Sequence, residues 1–319
     1  MSALPQPPST PILSSPILSW PGAVEADGVD RGVAAHYGNP LREQRVLLAG
    51  DGFVDLSNRG VVRIAGPDRL TWLHSLTTQA LEGLAPHVAT TTLILSPQGR
   101  VEHAMAGFDD GESFWAHVEP GEAPALVSWL DSMRFMTRVD VADVSPEWAA
   151  VARDETTVEL VRRSELAESV HGEPCGSWAF EALRIARGEP RLGLDTDELT
   201  IPNEVGWIGS AVHLDKGCYR GQETVARVHT LGRPPRRLVL LHLDGSVDRL
   251  PLHGDAVTLE DKQVGFVGSA ARHYELGPIA LALVKRNVTM SAELLADGVA
   301  ASQEPVVDPE VGLHVRARL

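Results

Sequence analysis

The most diagnostic stretch of this sequence is Lys216-Gly217-Cys218-Tyr219-Arg220-Gly221-Gln222-Glu223. It surrounds one of only two cysteines with glycines and cations, directly before a helical pattern at residues 222–228. Glycines permit backbone conformations and close approaches that larger residues exclude. Cationic neighbours and the positive end of a helix both favour a thiolate. The stretch predicts either a reactive Cys218 assisted by Lys216 or a structural cysteine in a tight turn, because free cysteine is among the most buried residue types.

The same eight residues resemble the K-G-C-Y-x-G-Q-E signature of the YgfZ family at all seven specified positions. Members of that family are folate-binding proteins that support iron–sulfur enzymes, and they are related to the glycine-cleavage T-protein, an aminomethyltransferase. Further landmarks resembling that superfamily follow in the same order, within residues 45–290. They are Asp55-Leu56-Ser57, Ala65-Gly66-Pro67-Asp68, the run 183–188, Gly193-Leu194-Asp195 and Pro202-Asn203-Glu204.

Composition bounds the class of protein. The chain has 319 residues, enough for two or three domains with hydrophobic cores. No apolar run approaches the ~20 residues of a membrane helix. A net charge of -15 argues against broad nucleic-acid binding, which usually shows a basic face. Two cysteines form no disulfide framework, and no signal-peptide pattern is present, so we expect a cytoplasmic protein without a membrane contact.

The composition and residue pattern of the sequence divide the chain into three segments. Residues 1–20 are rich in Pro and Ser and predict a disordered tail. Residues 21–233 combine helices with hairpins, which favours an α+β fold over a doubly wound sheet. An internal boundary is expected near 153–177, where the chain is polar and poorly periodic. Residues 234–319 carry short strands typical of a small β-barrel, ending in one at 313–318. The resemblance implies the same plan, a T-protein-like multi-subdomain α/β body with a C-terminal barrel.

The resemblance also implies a cofactor, tetrahydrofolate or a derivative, held in a central channel of the body. A reduced pterin presents several N–H donors on one edge, so the candidate contacts are Glu204, then Glu102 with its neighbour His103. Arg184 and Arg187 are candidates for the carboxylates of the glutamate tail. The alternatives are that Glu204 caps a turn and that the arginines form ion pairs on a helix surface.

One departure from the aminomethyltransferases leaves the enzymatic activity open. Where those enzymes carry an Asp-Asp pair after a hairpin, this chain has Glu102-His103. A longer carboxylate or an imidazole does not place charge at the same point, and an Å-scale displacement of such a group costs about 100-fold in rate. Aminomethyl transfer by this chain is therefore in doubt.

The cysteine count limits metal chemistry. Clusters of the [4Fe–4S] type take about four thiolates, so no resident metal is predicted. The leading hypothesis is a folate-binding accessory protein that supports assembly or repair of iron–sulfur enzymes through transient contacts. Its clients would include enzymes that thiolate tRNA, without direct nucleic-acid binding. The residues Gly217, Tyr219, Gly221, Gln222 and Glu223 complete the motif around Cys218 and Lys216. The alternatives are a tetrahydrofolate-dependent one-carbon transferase or demethylase and a folate-free cysteine redox protein.

Overall fold

The structure is a computed structural model, and it describes residues 13–230 and 232–311. In these residues the α-helices are α1 (Pro40–Leu48), α2 (Arg69–Leu76), α3 (Ala123–Ser132), α4 (Leu166–Ser169), α5 (Ser177–Ala186) and α6 (Gln222–Thr230). The strands are β1 (Val24–Glu25), β2 (Ala34–His36), β3 (Gly52–Asp55), β4 (Gly60–Ala65), β5 (Thr90–Leu95), β6 (Val101–Asp109), β7 (Ser113–Val118), β8 (Asp140–Asp143), β9 (Trp148–Ala152), β10 (Val158–Arg162), β11 (Glu173–Cys175), β12 (Arg236–Leu243), β13 (Ala256–Leu259), β14 (Lys262–His273), β15 (Gly277–Lys285), β16 (Leu294–Ala296) and β17 (Val299–Pro305).

Two sheets build the body. A five-stranded antiparallel sheet has the order β5-β6-β7-β4-β8. One of its faces packs on α2 and α3, where Ile64, Phe114 and Leu126 are fully buried. A second sheet has the order β10-β9-β3-β11, with β11 parallel to β3. The predicted hairpin around residues 96–99 is confirmed, because β5 and β6 pair antiparallel.

The segment 153–177, near which an internal boundary is expected, takes part in the second sheet. This segment contributes β10, α4 and β11, and both strands join the second sheet. Val158 and Leu160 pack against the core of that sheet, while the charged Glu159 between them is exposed. The polar residues that suggested a linker therefore lie on the outer side of an edge strand.

The predicted disordered tail needs a correction as well. Residues 1–12 lie outside the described residues, but residues 13–20 are packed on the body. Ile17 is fully buried in a cluster with Phe53, and the Trp20 ring meets Phe53 edge-on at 6.2 Å. The Pro- and Ser-rich composition concealed these apolar anchors, which bury surface in spite of it.

The C-terminal strands close into a barrel with the order β12-β15-β14-β13-β16-β17, so the predicted small barrel is confirmed. Its interior is filled by aliphatic side chains, among them Val239, Leu241 and Val257. The last predicted strand, at 313–318, lies outside the described residues.

The barrel docks on the body through α5 and α1. Ala182 and Ile185 of α5 share a core with Leu281 of the barrel. The buried side-chain amide of Gln44 in α1 donates a hydrogen bond to the carbonyl of Arg272 at 2.9 Å and accepts one from the Tyr274 N–H at 2.9 Å. Body and barrel are thus joined by apolar packing and by two hydrogen bonds from the Gln44 side chain to the backbone of the barrel.

Candidate functional site

Two adjoining cavities lie beside the five-stranded sheet. The first, the hairpin cavity, has a volume of about 820 Å³ and is bordered by the β5–β6 turn and by His253 of the barrel. The second, the central cavity, has a volume of about 760 Å³ and is bordered by Ala104 and Ala106 of β6. Leu192 lines both cavities.

The central cavity combines apolar walls with buried cations. Phe108, Phe180 and Trp207 supply aromatic surface, and the small side chains of β6 leave space above the sheet. The arginines that line the cavity are Arg59, Arg184, Arg187 and Arg191. A flat aromatic ligand with an anionic group matches such a lining.

Arg184 and Arg187, predicted to hold a glutamate tail, are already paired. Arg184 donates to Asp195 at 2.9 Å and to Glu181 at 2.7 Å, within the protein interior. Arg187 bonds with Glu155 at 2.8 Å and with the carboxylate of Glu189. Carboxylates of the protein thus pair with these guanidinium groups in partly or fully buried positions, not on a helix surface, and the role of the two arginines toward a glutamate tail stays a prediction.

Arg59 differs from the other arginines of this cavity. Its side chain is 8% exposed, yet among the described residues its guanidinium donates no hydrogen bond and lies in no ion pair. It lies 5.6 Å from the centroid of the Phe180 ring. Burial lowers the pKa of this group, because the charged form loses its hydration.

His117 of β7 also lines this cavity. Its strand pairs with β4, which begins directly after Arg59. His117 is paired in register with Val61 and forms no side-chain hydrogen bond with described residues. Burial and then the charge of Arg59 lower its pKa to about 3, so the imidazole is neutral. The sequence analysis missed both residues. The sequence signal that could have found them is an arginine and a histidine near the ends of the largely apolar strands β4 and β7.

Glu204, the predicted pterin contact, is not among the residues that line the two cavities, and its contact with a pterin stays a prediction. It is completely buried, and Arg236 donates to both of its oxygens at 2.9 Å. The Ile201 N–H donates to Oε2 at 3.1 Å, which is the turn cap anticipated as the alternative. Arg236 also bonds with Asp197, which does line the hairpin cavity. Through Arg236, Glu204 therefore helps to hold Asp197 in the wall of that cavity.

The octapeptide forms a loop that leads into α6 at Gln222, and the helix predicted there is confirmed. Cys218 is exposed and is not among the residues lining the two cavities. Lys216 is buried, and its ammonium donates to the carbonyls of His74, Thr77 at 2.5 Å and Gln79 at 3.2 Å. The ammonium of Lys216 is thereby held at the C-terminal end of α2, where it anchors the loop, and its assistance to Cys218 stays a prediction.

The octapeptide loop packs against the turn between β5 and β6. At Gly221, where φ is +81°, a Cβ atom would meet the Ser96 carbonyl oxygen at 2.5 Å and the Gly99 Cα at 2.8 Å. Arg220 extends the contact by donating to Glu102 at 2.9 Å. The ladder of β5 and β6 shifts register around Glu102, as in a β-bulge, and its side chain borders the hairpin cavity. Glu102 in the wall of this cavity thus contacts Arg220, which is two residues from Cys218 in the chain.

The remaining motif residues hold the loop together. Tyr219 is buried, and the Lys216 ammonium lies 5.3 Å from the centroid of its ring. Burial raises the pKa of Tyr219 to about 12. Gln222 donates to the Lys216 carbonyl at 3.5 Å, and Glu223 forms an exposed pair with Arg227 one turn along α6. Gly217 is different: a Cβ there would meet nothing within 4 Å.

Two further predicted residues are placed apart from these groups. His103 approaches α3, with its ring centroid 6.3 Å from that of Trp129 and its Nδ1 3.8 Å from a Glu122 oxygen. It therefore does not act as a pair with Glu102. Cys175 is buried in β11, and burial, followed by the charges of Glu43 and Glu173, raises its pKa to about 12. Burial therefore favours the protonated form of this thiol.

The described part of the chain contains neither a cluster of potential metal ligands nor a helix that could cross a membrane. No group of three or more His, Cys, Asp or Glu residues in it is arranged to hold a metal ion. None of its helices has the length and apolarity needed to cross a bilayer.

Comparison with known proteins supports the T-protein superfamily. Residues 236–308 match the glycine cleavage T-protein C-terminal barrel domain. An aminomethyltransferase of Nostoc sp. is 25% identical over 83% of this chain and 85% of its own. A chloroplastic protein of Arabidopsis thaliana, whose name assigns it provisionally to the transferases, is 23% identical over 71% of this chain, which spans 64% of that relative.

The fold is shared along almost the whole chain. Glycine cleavage system aminomethyltransferase T from Bartonella henselae superposes with a TM-score of 0.76, over 94% of this chain and 98% of that one, at 15% sequence identity. The predicted fold, a T-protein-like body with a C-terminal barrel, is confirmed.

Proposed function

We propose that this protein, which has the T-protein fold, is a cytoplasmic accessory protein that binds a reduced folate and supports assembly or repair of iron–sulfur enzymes, tRNA-thiolating enzymes among them. The observation that carries the proposal is the exposed Cys218, fixed on a loop that the wall of a ligand-sized cavity supports. The octapeptide resemblance and the relatives named aminomethyltransferases support it as well.

The central cavity fits tetrahydrofolate in size and chemistry. Its aromatic side chains and the flat alanine surface of β6 suit a pterin or benzoyl ring, while Arg59 suits an acceptor. When bound, a reduced folate supplies the ability to carry a one-carbon unit. The protein's own residues would bind the ligand, orient it and exclude water from it.

The thiol side of the proposal rests on exposure. A thiolate on the surface can act as a transient ligand to a cluster carried by a client enzyme, or as a nucleophile toward it. A partner can reach Cys218 without entering either cavity, because the residue lies outside both. Folate binding and thiol chemistry would therefore occupy neighbouring but separate places.

Calorimetry tests the folate part. Tetrahydrofolate or its 5-formyl form should bind, and at ~100 times the dissociation constant it should stabilise the fold by ~2.7 kcal/mol. The matching measurement is the shift in melting temperature with ligand concentration. Absence of heat and of any melting shift at millimolar ligand would remove folate from the proposal.

Complementation tests the thiol part. In cells lacking this protein, Cys218→Ala should fail to restore the activity of iron–sulfur enzymes. The matched control is Cys175→Ala, since that thiol is buried and protonated. Full restoration by Cys218→Ala, at equal protein level, would refute the role of the thiol.

A tetrahydrofolate-dependent one-carbon transferase or demethylase is the second candidate. The shared fold with named aminomethyltransferases favours it. Against it, Glu102 is engaged by Arg220 and His103 approaches α3, so the two do not form an acidic pair. Turnover of a methylamine-type donor with tetrahydrofolate would establish it. A requirement for Cys218 without any folate binding would instead indicate a redox protein.

A further inference from the structure

We propose that Arg59 and His117 form a carboxylate-binding subsite in the central cavity. The inference rests on the proposed function in one respect, because it names the group by which a folate would be held there. It departs from the arginines that the sequence suggested for this task, Arg184 and Arg187.

The first step is that the Arg59 guanidinium has no direct hydrogen-bond acceptor. It is 8% exposed and lines the cavity, and no carboxylate of the described residues lies within 4.0 Å of its nitrogens. Glu119, Glu181 and Asp30 act on its charge from a greater distance, but burial dominates and lowers its pKa. A ligand carboxylate would supply the direct acceptor that this guanidinium lacks.

The second step is that the neighbouring carboxylates direct their hydrogen bonds to other arginines. Glu119, beside Arg59 on the cavity wall, accepts from Arg191 at 2.6 and 2.9 Å. Glu181 accepts from Arg184, and Arg191 lies 3.0 Å from its other oxygen. These carboxylates are held in fixed positions, which leaves the N–H groups of Arg59 available to a ligand.

The third step is geometry. The Phe180 ring lies 5.6 Å from the Arg59 guanidinium carbon, which holds the planar group against an apolar surface. A guanidinium presents paired N–H groups that match a carboxylate. His117 lines the same cavity, its imidazole is neutral and without a partner in the described chain, and one ring N–H can donate to the same anion.

Three probes separate the parts of the ligand. The 5-formyl form of tetrahydrofolate carries pterin and carboxylates, p-aminobenzoylglutamate carries only the carboxylate part, and 6-methyltetrahydropterin carries only the pterin. Calorimetry on Arg59→Met should show binding of the first two weakened roughly 10- to 100-fold, as for loss of hydrogen bonds to a charged group. Binding of the methylpterin should be unchanged.

Arg187→Met is the matched comparison, because Arg187 lines the same cavity but is neutralised by Glu155 and Glu189. Its effect on the carboxylate probes should be smaller than that of Arg59→Met. Without ligand, Arg59→Met should melt at the same temperature as the wild type or higher, since an unpaired buried charge is removed. A lower melting temperature with unchanged affinity would mean that Arg59 is structural, and would overturn the subsite.

The outcomes distinguish the subsite from folate binding. Binding of 5-formyltetrahydrofolate that Arg59→Met leaves intact, or equal weakening of the methylpterin, overturns the subsite and keeps folate. Binding of p-aminobenzoylglutamate alone, lost in Arg59→Met, keeps the subsite and removes folate. If none of the probes binds the wild type, both fail. Should Arg59→Met not fold, wild-type NMR decides: p-aminobenzoylglutamate must shift the His117 ring signals, and unshifted signals overturn the subsite.

Discussion

At the scale of single residues, the two thiols of the chain lie in opposite environments. Cys218 is exposed on the octapeptide loop, and Cys175 is 1% exposed in β11, with its Sγ 3.4 Å from the Glu43 carbonyl oxygen. Sequence alone singled out Cys218 as the candidate reactive cysteine, because local glycines and cations were visible, and its reactivity stays a prediction. It could not assign Lys216, whose partners lie 137 to 142 residues away in the chain.

The difference in exposure predicts a difference in alkylation. Iodoacetamide at neutral pH should modify Cys218 in the native protein and leave Cys175 unmodified until the protein is unfolded. Mass spectrometry of Cys218→Ala and Cys175→Ala measures each thiol alone, with urea-unfolded samples as the reference. Faster native modification of Cys175 would contradict the buried position and the raised pKa of that thiol.

Glu204 is predicted to matter for stability. Glu204→Gln removes the charge that Arg236 faces with two hydrogen bonds in a buried site, and breaking such a pair costs about 3–5 kcal/mol. Urea denaturation should show this loss. Glu223→Gln is the control, since the Glu223–Arg227 pair is exposed and should change little. Equal stability of the two variants would show that the Glu204 pair contributes nothing.

At the scale of elements, local patterns predicted the β5–β6 hairpin and α6, since turn residues and helical spacing are adjacent in sequence. The strand β10 pairs with the adjacent β9, but it was missed because the segment around it is polar. The strand β11 was missed because its partner β3 is distant in the chain. The same reason hid the docking of the hairpin on the octapeptide loop. Gly99 and Gly221 are 122 residues apart, and only the fold brings their backbones into contact.

This contact predicts an effect of adding one methyl group. Gly221→Ala should cost at least about 1–2 kcal/mol for the left-handed backbone, with an added clash against the Ser96 carbonyl. It should also change the alkylation rate of Cys218, because the loop must shift. Gly217→Ala is the matched control, where a Cβ meets open space. Thermal unfolding and iodoacetamide kinetics measure both, and identical behaviour of the two variants would exclude tight docking.

At the scale of the whole molecule, the chain ends were the hardest part to predict. The barrel was predicted because short strands between Gly and Pro are a strong local signal. The N-terminal segment was not, because composition averages over the few residues that pack. Ile17 and Trp20 pack with Phe53 of β3, in a cluster that also includes residues of β9 and α4.

The packed N-terminal segment predicts a core-like response to mutation. Ile17→Ala should lower the free energy of unfolding by about 2–5 kcal/mol, as for other fully buried aliphatic side chains. Ser19→Ala, at an exposed position of the same turn, provides the reference. Chemical denaturation compares the two. A loss below 0.5 kcal/mol for Ile17→Ala would mean that the segment does not contribute to the core.

The amide of Gln44 also gives the molecule an internal reporter. The Tyr274 N–H points to an oxygen of the other domain, so its proton cannot exchange with deuterium until body and barrel separate at that point. Its protection factor is therefore a direct reading of how often the two domains part. A ligand that binds only the joined form would slow the exchange of this proton in proportion to its occupancy. The exchange rate of the Tyr274 N–H would therefore report domain opening in the intact protein.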